Sequence, residues 1–295
     1  MKPDHPPICD YEGSDYQKSF WEESDRAYED SVEAIALRRL LPAGGSLLLE
    51  VGAGAGRNTP RYKGFDRIVL LDYSLTQLQQ AQERLGNGGR YIYVAADAYR
   101  LPFYPGLFDA ATMIRTLHHM ANPPQVLRQV RTVLQPAGVF VLEYPNKRNI
   151  KAILRYALRR QEWSPFTPDA IEFAQLNFDF HPRSVRNWLN ECGFKIERQL
   201  TVSHFRMQAL KRLIPLRLLV GMDSLAQLTG NLWQYSPSVF LRAEAVGRGE
   251  IAPEGAFFRC PACGSALPGK DSDGTFCPIC SRYWAIRDGI YDFRE

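Results

Sequence analysis

The sequence predicts an α/β fold: a doubly wound, mostly parallel sheet followed by a small C-terminal metal module. Three observations carry this. Short apolar runs fit for strands alternate with helical patterns from residue 46 to 143, a glycine-rich turn follows the first run, and four cysteines stand in two close pairs near the end. A length of 295 residues suffices for about two domains. With 45% hydrophobic and 23% charged residues, the composition excludes collagen-like, coiled-coil and wholly disordered chains. No apolar run reaches the roughly 18 to 20 residues of a membrane span, since Pro215 and Arg217 break the stretch Leu213 to Val220. Met1 to His5 carry no apolar signal region, so a cytoplasmic location is expected.

Residues 14–41 read as helical, because Tyr28, Val32, Ile35, Ala36 and Leu40 share one helical face before Pro42 to Gly45 stop it. Ser46 to Val51 is a continuous apolar strand of the kind buried on both faces. Arg67 to Leu71 is the second strand. The next helix opens on Ser74 with Gln77 as a capping box and closes at Gly86. Tyr91 to Ala95 and Phe108 to Ile114 are the third and fourth strands. Asn122 as cap and Pro123 in the first turn then start a helix that runs to Leu134. Val139 to Glu143 is the fifth strand. Regular alternation lapses until a helix from Pro182 to Cys192, a strand from Phe194 to Val202 and a last strand from Ser238 to Val246. Residues 1–246 therefore form the main domain, 247–255 a Gly/Pro-rich linker with few contacts, and 256–295 a separate small module.

The first strand runs into Glu50-Val51-Gly52-Ala53-Gly54-Ala55-Gly56. Glycines there permit positive φ and close approach of a ligand to the backbone. Arg57-Asn58-Thr59 follows where a P-loop needs Gly-Lys-Ser/Thr, which excludes phosphate cradling by a Walker lysine. Arg57 also occupies the sixth position of a dinucleotide fingerprint counted from Gly52, where a small residue is needed. Asp72 and Asp97 end the second and third strands, so Glu50, Asp72 and Asp97 converge on the crevice at the carboxyl edge of the sheet. Asp72 has two acceptor oxygens for ribose hydroxyls, and Asp97 accepts from an adenine amine. Ribose and adenine without phosphate is the profile of S-adenosylmethionine (SAM).

The chain resembles the class I SAM-dependent methyltransferases of Rossmann-like fold, and in detail the branch containing the quinone-biosynthesis enzymes. The likeness rests on Leu48 to Gly56, Leu70 to Ser74, Ala96 to Phe103, Phe108 to Ala110, Leu117 to Met120 and Val133 to Gly138, in family order over residues 40–145. The turn Gln135-Pro136-Ala137-Gly138 departs from the usual Lys-Pro-Gly-Gly. The resemblance implies SAM as cofactor, bound by Glu50, Gly52, Ala53, Gly54, Gly56, Asp72, Tyr73, Asp97 and Ala98, with Arg115 flanking it. His118 and His119 fall where the family's substrate pocket opens, either as a base or as residues that order the loop. The N-terminal helical stretch 14–41, with Tyr16, Trp21 and Arg26, resembles the family's cofactor lid. No catalytic residue is assigned.

Between Lys147 and Arg217 stand 14 Lys and Arg against 6 Asp and Glu, although the whole chain carries only +4. Lys147, Lys151, Arg155 and Arg159 recur every four residues in the insertion 145–181, opposite Ile150, Ile153, Leu154, Ala157 and Leu158, as a basic stripe on a half-apolar helix. The stripe suggests an anionic acceptor: a small-molecule or lipid-like compound, RNA, or a substrate met at a membrane surface. A solvated helix face is the plain alternative. Cys260, Cys263, Cys277 and Cys280 form C-x2-C-x13-C-x2-C, which fits four-thiolate Zn2+ of structural kind. This module resembles the zinc-ribbon activator subunits that partner RNA and translation-factor methyltransferases. Three readings follow: a methyltransferase acting on a small-molecule or lipid-like acceptor, an RNA methyltransferase docking nucleic acid through the ribbon, and a SAM-binding scaffold without turnover.

Overall fold

A computed structural model of the chain describes residues 6–14, 26–268 and 273–294. Helix α1 (Ala27–Leu40) precedes the sheet, and the part of the expected lid at 15–25, with Tyr16 and Trp21, lies outside the described residues. Strands β1 (Gly45–Val51), β2 (Phe65–Asp72), β3 (Tyr91–Ala95), β4 (Phe108–Met113) and β5 (Leu134–Pro145) alternate with helices α2 (Leu75–Leu85) and α3 (Pro123–Val133). After β5 come α4 (Ile150–Ala157), the hairpin β6 (Ile171–Ala174) and β7 (Asn177–Asp179), then α5 (Pro182–Glu191) and β8 (Phe194–Val202). Helices α6 (Gln208–Leu213) and α7 (Leu216–Ala226) lead to β9 (Ser238–Ala245), and β10 (Gly274–Phe276), β11 (Tyr283–Arg287) and β12 (Ile290–Asp292) close the chain.

The strands form one sheet in the order β10-β11-β12-β3-β2-β1-β4-β5-β9-β8. Parallel pairing runs from β12 to β5, and the order reverses at β1, which pairs with β2 on one side and β4 on the other. Every residue from Leu47 to Val51 is buried, as a strand covered on both faces requires. Leu47, Leu49 and Val51 join the layer of α3 and α5, whereas Leu48 joins the layer of α1, α2 and α7. The cap of α2 is as expected on its first half: Ser74 Oγ accepts from Gln77 N at 3.2 Å. The Gln77 side chain turns to Ser14 O instead of back to Ser74. Asn122 holds the N-cap position of α3 without a side-chain cap bond.

Helices α6 and α7 lie in a stretch left unassigned by periodicity. In α7 only Leu219 and Asp223 are buried, and Asp223 anchors the helix by accepting from Tyr28 Oη at 2.7 Å and His204 N at 2.8 Å. A helix fastened through a buried carboxylate leaves little 3.6-residue apolar pattern.

Two expectations are corrected. Lys147 does not belong to the basic stripe: it precedes α4, is buried, and its Nζ donates to Thr167 Oγ1 at 2.9 Å and to the carbonyls of Thr167 and Asp169. The apolar face opposite the remaining cations is open to solvent, with Ile150 and Leu154 of α4 and Leu158 just after it exposed. The C-terminal module, moreover, does not stand apart. Strand β12 pairs in parallel with β3, Ile290 to Asp292 opposite Tyr93 to Ala95, because β3 would otherwise offer an unpaired edge. Phe258 stacks on Phe103 at 5.7 Å, and Tyr104 N donates to Phe257 O. The connection is also bonded down, Ala252 N donating to Gly106 O at 3.1 Å.

This packing makes the module part of one cooperative unit. Phe258→Ala should lower a single global unfolding transition by about 2 to 4 kcal/mol, as loss of a packed aromatic side chain does. Denaturant unfolding followed by both tryptophan fluorescence and circular dichroism checks this. Two separated transitions, only the smaller displaced, would restore an independent module.

Candidate functional site

The carboxyl ends of β1, β2 and β3 open into one cleft beside the point where strand order reverses. Its walls include Glu50, Gly52, Ala53, Gly54, Asp72, Tyr73, Asp97, Ala98 and Arg115, so nine of the ten residues expected to meet the cofactor share it. Gly56 is the exception. It lies in the turn behind the wall, where a Cβ would stand 2.8 Å from Leu85 Cδ1, so its smallness serves the packing of α2. Gly52, at φ 70°, faces Thr116 so closely that a Cβ would stand 2.2 Å from Thr116 Oγ1.

Asp72 joins two strand-end turns. Its Oδ2 accepts from Gly54 N at 2.8 Å and its Oδ1 from Ser74 N at 3.0 Å. Burial raises its pKa, and the amides of Ser74 and Gly54 oppose the rise. Each oxygen keeps acceptor capacity for a ligand, since a carboxylate offers about four lone-pair sites. Asp97 Oδ1 accepts from Tyr99 N at 2.9 Å in the same manner at the end of β3.

Glu50 is tied elsewhere. Its Oε2 accepts from Thr59 Oγ1 at 2.6 Å and its Oε1 from Tyr62 Oη at 3.0 Å. Burial pushes its carboxyl up to about 7 against those hydrogen bonds. A second acid, Glu33 of α1, is buried between two arginines that line the cleft: Arg57 Nη2 donates to Oε2 at 2.8 Å and Arg115 Nε to Oε1 at 2.8 Å. Burial would raise Glu33, yet the guanidiniums of Arg115 and Arg57 hold it at about 2. Arg115 itself sits at φ 56°, fixed by its amide donating to Glu143 Oε2 at 3.0 Å.

The two histidines pack ring to ring at 3.9 Å. His119 Nδ1 lies 3.0 Å from Leu176 O, which only accepts, so Nδ1 carries the proton and Nε2 accepts from Tyr11 Oη at 3.1 Å. Burial lowers both pKa values, His118 further because His119 and Arg115 adjoin it. His119 lines the cleft and anchors the segment that partly covers it. Arg26 holds the N-cap position of α1.

That covering segment, residues 6–14, gave no signal in the sequence. Pro7, Ile8, Cys9 and Tyr11 line the cleft. Glu12 fastens the segment to the start of α2, its carboxylate accepting from Leu75 N at 2.9 Å and Thr76 N at 3.2 Å. The C-terminal module reaches the same place. Arg294, held by both oxygens of Asp292, donates from Nη1 to Glu12 Oε2 and to Tyr73 O, each at 3.2 Å. One guanidinium thus joins the module, the covering segment and the cleft wall.

The four cysteine sulfurs lie within 4.8 Å of one another, with Cys260 to Cys280 at 3.6 Å and Cys263 to Cys277 at 3.5 Å. A tetrahedron of Zn–S bonds of about 2.3 Å requires sulfurs about 3.8 Å apart, so the donor set fits that ion.

Comparison with known proteins agrees with this geometry. Residues 49–142 match the family described as methyltransferase domain. An O-methyltransferase of Penicillium expansum is 29% identical over 206 residues, covering 64% of this chain and 68% of that protein. The ubiquinone/menaquinone biosynthesis C-methyltransferase of Pseudomonas syringae is 30% identical over 167 residues, covering 51% of this chain and 65% of that protein. The chain thus spans about two thirds of the length of these relatives. Among solved structures, the complex of a Haloferax volcanii methyltransferase activator with a methyltransferase shares the fold at a TM-score of 0.56 and 13% identity, covering 78% of this chain and 96% of that one. The chain thus has a Rossmann-like methyltransferase fold, and its family match lies in residues 49–142.

Glu50 generates a pH dependence. Its folded pKa of about 7 lies above the ordinary value of 4.5, so its contribution to stability is complete below 4.5 and is lost as pH rises through 7. Glu50→Gln keeps a hydrogen-bonding side chain without the charge. The variant should gain about 1 to 3 kcal/mol relative to the parent between pH 5 and 8. Urea unfolding across that range measures the gap, and parallel stability curves would contradict the assigned burial cost.

Proposed function

We propose that the chain transfers the methyl group of S-adenosylmethionine to a small-molecule, lipid-like acceptor that carries negative charge. One observation carries the reading: the glycine turn after β1 and the carboxylates of Asp72 and Asp97 line a single cleft at the switch point of the sheet. SAM supplies a methyl already activated on a sulfonium. Asp72 receives the ribose hydroxyls on lone pairs that Gly54 and Ser74 leave open, and Asp97 receives the adenine amine. Gly52, Ala53 and Gly54 let the nucleoside approach the backbone, and Tyr73 and Ala98 flank it. Arg115 and Arg57, both engaged by Glu33, set a positive wall for the methionyl carboxylate. Glu50 acts one step back, bracing Thr59 and Tyr62 behind the turn. Tyr11 and its neighbours in the covering segment exclude water, which leaves in-line positioning as the main catalytic task.

A structural zinc on Cys260, Cys263, Cys277 and Cys280 goes with this reading. Four thiolates fill its coordination shell and leave no open position for substrate. A cytoplasmic setting, where thiols stay reduced, suits such a site. No helix among the described residues is long and apolar enough to cross a membrane.

Asp72→Ala removes the ribose acceptor and should weaken SAM or S-adenosylhomocysteine binding by about 1.5 to 3 kcal/mol. Calorimetry on the folded variant measures this, and unchanged affinity would sink the cofactor assignment. Freshly purified protein should also hold one zinc per chain by elemental analysis. Because β12 and Arg294 tie the module to β3 and Tyr73, chelation should lower the melting temperature of the whole chain and weaken SAM binding together. Metal-free protein that melts and binds SAM normally would reject the zinc site.

A further inference from the structure

Arg206 has no role in the cleft described above, and its surroundings are unusual for an arginine. Its Nε is buried without a hydrogen-bond partner, and the side chain makes no ion pair among the described residues. Burial and the nearby Arg115 act against its charge, with Glu33, Glu143 and Glu29 in its favour at longer reach. A half-buried guanidinium whose Nε is sealed from water without an acceptor costs free energy unless something else supplies one. Arg206 lines a second, larger hollow of about 890 Å³ between α4, the start of α6 and the segment from Ala226 to Pro237. Ile150, Leu154, Leu158, Met207 and Trp233 give this groove apolar walls, and each is more than half exposed. Its charged lining is Lys151, Arg155, Arg160 and Arg206, with no carboxylate. The inner end neighbours the cofactor cleft through Glu143, which accepts from the amide of cleft-lining Arg115 on one oxygen and on the other from Ser238 Oγ, next in sequence to Ser236 and Pro237 of the groove.

From this juxtaposition we infer that the groove is the acceptor site, taking one amphiphile whose anionic head pairs with Arg206 and whose hydrocarbon chain lies along Ile150, Leu154, Leu158, Met207 and Trp233. The acceptor role rests on the methyltransferase reading, whereas the binding site can be judged without it. A carboxylate or phosphate head satisfies the buried Nε together with a neighbouring Nη in the bidentate manner that arginine favours. The cations Lys151, Arg155 and Arg160 along the groove draw the anion in, and apolar walls reward chain length. A flat membrane surface fits less well, because a buried Nε is reached only by a head group that enters the hollow.

Dodecanoate, kept below its micelle concentration, is the probe, and calorimetry on the full chain is the readout. The parent should bind one dodecanoate per chain. Arg206→Gln should weaken that binding at least tenfold, and so should Leu154→Asp, which places a carboxylate on an exposed wall and leaves folding undisturbed. Dodecanol, of equal length and no charge, should bind the parent and Arg206→Gln alike. S-adenosylhomocysteine affinity should be the same in all three proteins. Failure of the parent to bind dodecanoate, or equal binding by the parent and Leu154→Asp, overturns the groove. Capture of the parent by anionic vesicles without dodecanoate binding overturns it in favour of a membrane surface. Dodecanoate binding without any S-adenosylhomocysteine binding would keep the site and remove its role as a methyl-acceptor pocket.

Discussion

The carboxylate of Asp72 is the point on which the site depends. By accepting from Gly54 N and Ser74 N it fixes the turn after β1 against the turn after β2. Two loops that each tolerate positive φ or irregular backbone would otherwise wander relative to one another. The cost of burying the charge, visible as its raised pKa, is offset by those amides. The same bonds leave the remaining lone pairs free for a ligand, so the group proposed to hold the ribose is also the group that shapes the cavity around it. Preorganisation of this sort lowers the ordering cost of binding.

From that point the order spreads in two directions. Toward the N-terminus, Ser74 caps α2, and Glu12 adds a second anionic cap that draws the covering segment over the cleft. Toward the C-terminus, β12 lies along β3, and Arg294 reaches from Asp292 to Glu12 and Tyr73. Edge strand, cover and wall are thereby tied through one guanidinium. A module whose own apolar core is small gains stability from the sheet it completes, and it fixes the β3 side of the cleft in return.

Much of this was legible in the chain because the central strands have a strong physical signature. Ser46 to Val51 and Val139 to Glu143 are apolar on both faces, so they could only be interior strands, although β5 proved to begin at Leu134. The four cysteines were legible because ligand spacing is local. What escaped depends on long-range partners. Residues 6–14 carry no periodicity and are held by Thr76, His119 and Arg294, far off in sequence. Helix α7 buries a carboxylate where a pattern reader expects leucine. Lys147 looked like the head of a basic stripe and is instead sealed under Thr167 and Asp169. Glu50 aligned with Asp72 in the motif, yet its carboxyl turns to Thr59 and Tyr62, a distinction invisible to spacing. Arg206 stands out only when its missing partners are counted.

The most direct test of the central claim is a crystal structure of the full chain with S-adenosylhomocysteine. The account predicts both ribose hydroxyls within hydrogen-bonding distance of the Asp72 carboxylate, adenine between Asp97 and Ala98, and the Gly54 and Ser74 bonds to Asp72 intact. A nucleoside seated elsewhere, or a cleft left empty at saturating ligand, would contradict it.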